Sequence, residues 1–206
     1  MRDKVTIPVL QEKMRKGERI TMLTCYDYPT ALLEENAGVD IILVGDSLGM
    51  TVLGYDSTLP VTMDVMIPHT QAVRRGAPTA FLIGDMPYMS YQVSDQEAVR
   101  NAGRFMQEAG CDAVKLEGGA NVADVIRALT KATIPVMGHL GLTPQSIAQL
   151  GGFKSQGRSA DTARKVIDDA KLLEECGAFA ILLEAIPPEV AQLITERASI
   201  PIISIG

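Results

Sequence analysis

Short apolar runs recur along the chain, and most of them close on an acidic or polar residue. They are Thr21–Tyr26, Asp40–Asp46, Ala80–Asp85, Asp112–Glu117, Ile134–His139, Phe179–Glu184 and Ile200–Gly206. Most are nearly continuously apolar, the pattern of strands in a parallel sheet buried on both faces. Helical patterns lie between them. Ser94-Asp95-Gln96-Glu97 has the form of a capping box and predicts a helix to about Glu108, stopped by Gly110. A second helix is predicted over Asp161–Glu175, with Gly177 as its stop. Pro187-Pro188 opens a third, running to about Ala198, because proline suits the first helical turn.

Three stretches share one grammar: Glu35–Asp46, Gln107–Glu117 and Glu174–Glu184. In each, a helix end is followed by a glycine, a buried strand and then a carboxylate. Repetition of such units builds either an open doubly wound sheet or a barrel. Seven strands in this length come to roughly 29 residues per unit, so eight units would need about 235, near the usual barrel size of ~250. No G-x-G-x-x-G follows the first strand, which weakens the dinucleotide-binding alternative. The expected fold is α/β, a (β/α)8 TIM barrel occupying residues 1–206 as one domain. Ile200–Gly206 reads as a seventh strand cut at its C-terminal end, so the expected barrel lacks its last unit.

Composition narrows the function classes. Apolar residues make up 47% of the 206 residues and charged ones 21%, as in an ordinary globular protein with a sizeable core. A net charge of −6 argues against a nucleic-acid groove or an anionic membrane surface as the main partner. Cys25, Cys111 and Cys176 have neither paired nor metal-type spacing and read as reduced packing residues. The first sixteen residues carry no apolar signal-peptide core, and no apolar run is long enough to span a membrane. The expected location is the cytoplasm.

Barrel enzymes place their chemistry where strands end at the C-terminal face. Asp46, Asp85, Glu117 and Glu184 follow apolar strands there, where an unpaired charge is costly unless it binds a cation or a hydrogen-bonding partner. Oxygen ligands without nearby Cys or His pairs favour a hard divalent ion, magnesium first, manganese or cobalt behind it. The plainer alternative is that each acid faces water or caps the next helix. Lys115 precedes Glu117 by two, so the strand period points both to one side. It reads either as a structural ion pair or as a cation for a substrate carboxylate or enolate oxygen. His139 closes the fifth strand and is either a structural hydrogen-bonder or a site residue. His69, in a predicted helix beside Pro68, reads as structural. Ser47 offers a hydroxyl or an N–H to an anion, or simply forms a turn. Two loops have the character of active-face lids or flexible connectors: Ser47–Thr62 and the glycine-rich Gly151–Arg158.

Several stretches together resemble ketopantoate hydroxymethyltransferases, also called 3-methyl-2-oxobutanoate hydroxymethyltransferases. They are Leu43–Met50, Asp56–Thr62, Val73–Pro78, Val114–Gly119, Gly138–Ser146 and Leu182–Glu184, in family order. The resemblance implies a barrel of the phosphoenolpyruvate/pyruvate type, acting in pantothenate synthesis upstream of coenzyme A. It implies transfer of the one-carbon unit of 5,10-methylenetetrahydrofolate to 3-methyl-2-oxobutanoate through a metal-stabilised enolate, giving 2-dehydropantoate. By motif, Asp46, Asp85 and Glu117 match metal positions. Asp46, Ser47, Asp85, Lys115 and His139 match substrate contacts, and Glu184 matches the proton acceptor. A ring-type homo-oligomer, often a decamer, is also implied. Family members continue past Gly206 with a glycine-rich loop, a strand and helices. On this resemblance the chain is either part of a longer polypeptide or a shortened variant.

Two other readings stay open. One is another magnesium-dependent α-keto acid C–C lyase or mutase of the same barrel type, although the Lys-Lys-Cys-Gly-His motif of isocitrate lyases is absent. The other is an inactive binding or assembly module.

Overall fold

The computed structural model describes residues 2–152 and 154–205. Phe153 of the glycine-rich loop and Gly206 of the last expected strand lie outside the described residues. Helices and strands alternate along the chain: α1 (Ile7–Arg15), β1 (Met22–Thr24), α2 (Tyr28–Ala37), β2 (Ile41–Val44), α3 (Leu48–Thr51), α4 (Met63–Gly76), β3 (Phe81–Asp85), α5 (Asp95–Gln107), β4 (Ala113–Glu117), α6 (Ala123–Lys131), β5 (Val136–Gly141), α7 (Ile147–Leu150), α8 (Ala160–Glu175), β6 (Ala180–Glu184), α9 (Pro188–Arg197) and β7 (Ile202–Ile205). The strands follow chain order in one sheet. Contacts divide the chain into two compact units that meet within β4, one up to Lys115 and the other from Leu116 onward.

In the first unit β1, β2, β3 and the start of β4 pair in parallel. Strands β2 and β3 are buried along their whole length, as continuously apolar runs require. Strand β1 departs from that expectation. It is three residues long, and Leu23 is half exposed. It pairs with β2 and stands at one end of the strand order, with no second strand neighbour among the described residues. Helix α5 packs tightly on β3, because a Cβ on Gly84 would lie 2.3 Å from the Phe105 ring. Ser94 caps α5, its Oγ accepting from Glu97 N–H at 3.2 Å.

In the second unit β5, β6 and β7 pair in parallel. Helix α8 lies against β5, since a Cβ on Gly138 would come within 2.6 Å of Leu173. The reciprocal capping box is found here, between Ser159 and Thr162, and the helix begins at Ala160, one residue before the expected start. The three repeated stretches behave alike: Gly38, Gly110 and Gly177 each take a positive φ between helix and strand. That conformation is cheap only for glycine, which is why the residue recurs at this point.

All three cysteines are buried and free. Burial pushes the Cys25 thiol up to about 11, against a weaker opposing effect of its bond to the Asp27 carbonyl. Burial also raises Cys111 and Cys176. These are packing residues, as their spacing implied.

Candidate active site

The strand-end acids fall where the sequence placed them. Asp85 and Glu117 are the last residues of β3 and β4, Glu184 is the last of β6, and Asp46 lies two residues beyond β2. His139 does not end its strand: β5 continues two residues further, to Gly141.

In the first unit, Asp46, Asp85 and Lys115 form one buried polar group. The β3–β4 register sets Asp85 directly across from Lys115, and Lys115 Nζ lies 2.8 Å from Asp85 Oδ1. Asp85 Oδ2 accepts from the Asp46 N–H at 3.0 Å. A carboxylate buried this deeply costs several kcal/mol unless compensated. Here an ammonium takes one oxygen and a backbone N–H the other. Ser47, just before α3, has its Oγ 2.8 Å from the hydroxyl of Tyr26. Tyr26 is held in turn by His69, whose Nδ1 is 2.7 Å from the Tyr26 carbonyl. With a carbonyl as partner, His69 donates through Nδ1. Tyr26 itself had no signal in the sequence beyond its place at the end of the first apolar run.

In the second unit, His139 stands between two carboxylates. Its Nε2 is 3.1 Å from Glu184 Oε2 and its Nδ1 is 3.6 Å from Glu117 Oε1. Glu117 Oε2 accepts from the Gln145 N–H at 3.0 Å, a contact that sequence patterns did not reveal. Gly141 pairs with Glu184 in the β5–β6 register. A Cβ there would lie 2.1 Å from the Glu184 carbonyl oxygen, so the strands can approach at this level only through glycine. Exposure separates the acids. Asp46, Asp85 and Glu117 are at most 5% exposed, whereas the Glu184 side chain keeps 24%.

Among the described residues, no group of three or more His, Cys, Asp or Glu is placed to hold a metal ion. The donor set still fits a hard cation in kind. Asp46 and Asp85 are linked, buried oxygen donors, and magnesium is commonly bound by one or two carboxylates, with substrate and water completing its shell.

A family model for ketopantoate hydroxymethyltransferase matches residues 4–206. The chain belongs to that family. It is 55% identical over 203 residues to the 3-methyl-2-oxobutanoate hydroxymethyltransferase of Syntrophomonas wolfei, covering 98% of this chain and 74% of that protein. The corresponding enzyme of a Geobacillus species is 61% identical over 192 residues, covering 93% and 69%. The chain is thus a hydroxymethyltransferase of pantothenate biosynthesis. Among solved structures, a phosphonopyruvate hydrolase complex with oxalate and Mg++ superposes with a TM-score of 0.72 at 16% identity, covering 97% of this chain and 71% of that one. A 2,3-dimethylmalate lyase, a member of the PEP mutase/isocitrate lyase superfamily, does so at 0.70 and 17%, covering 96% and 70%. These likenesses establish the α/β fold expected from the repeated units. Among the described residues, no helix is long and apolar enough to cross a membrane.

Proposed function

We propose that the chain transfers a hydroxymethyl group from 5,10-methylenetetrahydrofolate to 3-methyl-2-oxobutanoate, giving 2-dehydropantoate, in the cytoplasm and as a homo-oligomer. Family membership supplies the reaction. The assignment of roles rests on one observation: Glu184 is the strand-end acid that keeps a quarter of its side chain open while contacting an imidazole. A base must touch the proton it removes, and the other acids are closed off.

In this reading Glu184 takes the C3 proton of the keto acid, and His139 Nε2 orients its carboxylate. Asp46 and Asp85 would hold a magnesium ion, with manganese or cobalt as substitutes. By motif alone, Glu117 would be a further ligand. A cation so held supplies positive charge to the keto oxygen as negative charge develops there. Lys115 offsets charge on the bound keto acid, and Ser47 donates a hydrogen bond to it. The donor's methylene carbon exchanges its two bonds to nitrogen for one to C3 and one to the oxygen of water. Tetrahydrofolate leaves with a proton on each freed nitrogen, one from C3 by way of Glu184 and one from the water.

The first half of this sequence needs no folate. Deuterium exchange at C3 of 3-methyl-2-oxobutanoate, followed by proton NMR, therefore tests the base alone. Glu184→Gln is expected to slow exchange by roughly 10²–10⁴-fold. Near-normal exchange would remove Glu184 from that role.

A further inference from the structure

The reaction has two substrates, and the residues discussed so far account for the smaller. A cavity of about 590 Å³ opens in the second unit, lined in part by residues that follow Glu117 and His139 in the chain. Its walls begin where those residues end. Gly118 follows Glu117 directly, and Leu140 and Gly141 follow His139. Gly141 is the glycine that packs on the Glu184 backbone.

The walls are fixed by internal bonds. Asp169 of α8 accepts from the Ala120 N–H at 3.0 Å and pairs with Lys165. A Cβ on Gly119 would fall 2.2 Å from the Asp169 carboxyl carbon, so the segment after β4 is seated on α8. On the other side, Leu142 N–H donates to the Glu184 carbonyl at 2.9 Å. The cavity is therefore held open by the fold.

Its chemistry is mixed. Asn121, Ser146, Gln149 and Gln156 offer neutral donors and acceptors between glycine backbones. Lys165 also lines it, with most of its side chain in solvent. Amides and hydroxyls suit the edge of a planar heterocycle carrying amino, ring N–H and oxo groups. The Lys165 ammonium, although paired with Asp169, stands mostly in solvent and suits a carboxylate tail at the cavity's rim. The volume lies in the range that encloses most of a drug-sized ligand, far more than a five-carbon keto acid fills.

We infer that this cavity receives the one-carbon donor, a reduced pterin with a carboxylate-bearing tail. The pterin lies among the amides and Ser146, and the tail runs out past Lys165. The inference rests on the proposed function, because it takes the folate as the second substrate. It places the donor's methylene carbon toward Gly141, the lining residue that packs on the Glu184 backbone.

Binding and enolisation can be measured apart. Equilibrium dialysis of the chain with tetrahydrofolate reads the cavity, and donor-free C3 deuterium exchange reads the base. Ser146→Trp, which fills the cavity, is expected to weaken tetrahydrofolate binding at least about tenfold. Exchange should stay within about twofold of the unsubstituted chain. Gln149→Leu, at an exposed position that tolerates change, is expected to weaken binding about threefold to tenfold. Unchanged tetrahydrofolate affinity in both variants overturns the inference. So does loss of exchange in a folded Ser146→Trp protein, which would give the cavity to the keto acid. If the unsubstituted chain binds tetrahydrofolate, loses it on Ser146→Trp, yet never exchanges the C3 proton, the cavity assignment stands and the enolisation reading falls.

Discussion

Lys115 lies directly across from Asp85 in the β3–β4 register, its Nζ 2.8 Å from Oδ1, with both side chains almost wholly out of solvent. The pair is made by strand register alone. A one-residue slip of β4 would turn Lys115 to the opposite face of the sheet and leave Asp85 without this ammonium.

Lys115→Met tests the pair. Removing one partner of a buried ion pair typically costs ~3–5 kcal/mol. The variant should therefore unfold at a markedly lower urea concentration. Added magnesium should restore part of that loss by supplying another cation to Asp85. A variant that unfolds like the parent would show that Asp85 does not depend on Lys115.

Asp85→Ala and Asp46→Ala should each weaken magnesium binding in a calorimetric titration, by roughly tenfold or more if each supplies a ligand oxygen. Glu117→Ala belongs in the same series, because its place in the ligand set is argued from motif alone. Unchanged affinity in any one of the three strikes that residue from the set.

Tyr26→Phe removes the hydroxyl that sits 2.8 Å from Ser47 Oγ and leaves the ring in place. A neutral hydrogen bond is worth about 1 kcal/mol, so KM for the keto acid should rise roughly fivefold, with little change in kcat. If the tyrosine acts through Ser47, Ser47→Ala should have a similar effect. The double variant should then be no worse than the more affected single one. Additive losses would mean that the two hydroxyls act independently.

Asp40 concerns stability and pH. Burial raises its carboxyl, but Lys13 and the N–H and hydroxyl of Thr21 outweigh that, and the net shift is below the ordinary value of 3.8. A folded-state value below the unfolded one gives stability that is present above the unfolded value. That stability is lost as pH falls through the folded one. The parent should thus lose stability below about pH 4. Asp40→Asn should be ~1–3 kcal/mol less stable at neutral pH, because the Lys13 and Thr21 donors lose a charged acceptor. The gap should shrink in acid, as urea midpoints measured across pH would show.

Much of the candidate site was legible along the chain because strand-end acids follow apolar runs, and a parallel strand buried on both faces is a local pattern. The helix–glycine–strand repeat was legible for the same reason: a left-handed turn calls for glycine wherever it occurs. Tyr26, Gln145 and the cavity beside α8 were not. Each depends on contacts between residues distant in the chain: Tyr26 with Ser47, Gln145 N–H with Glu117 across 28 positions, and Ala120 with Asp169 across 49. The short, half-exposed β1 escaped for a related reason, since Leu23 is apolar in composition but stands in a strand at one end of the order.

By itself the sequence determined which residues form strands, where helices stop and which acidic side chains end up at strand termini, because these follow from periodicity, glycine conformation and capping chemistry over a few neighbours. Only the tertiary structure decided who meets whom: Asp85 with Lys115, His139 with Glu184, Tyr26 with Ser47. Register and packing choose those partners, and both are set by the whole fold burying its apolar faces at once.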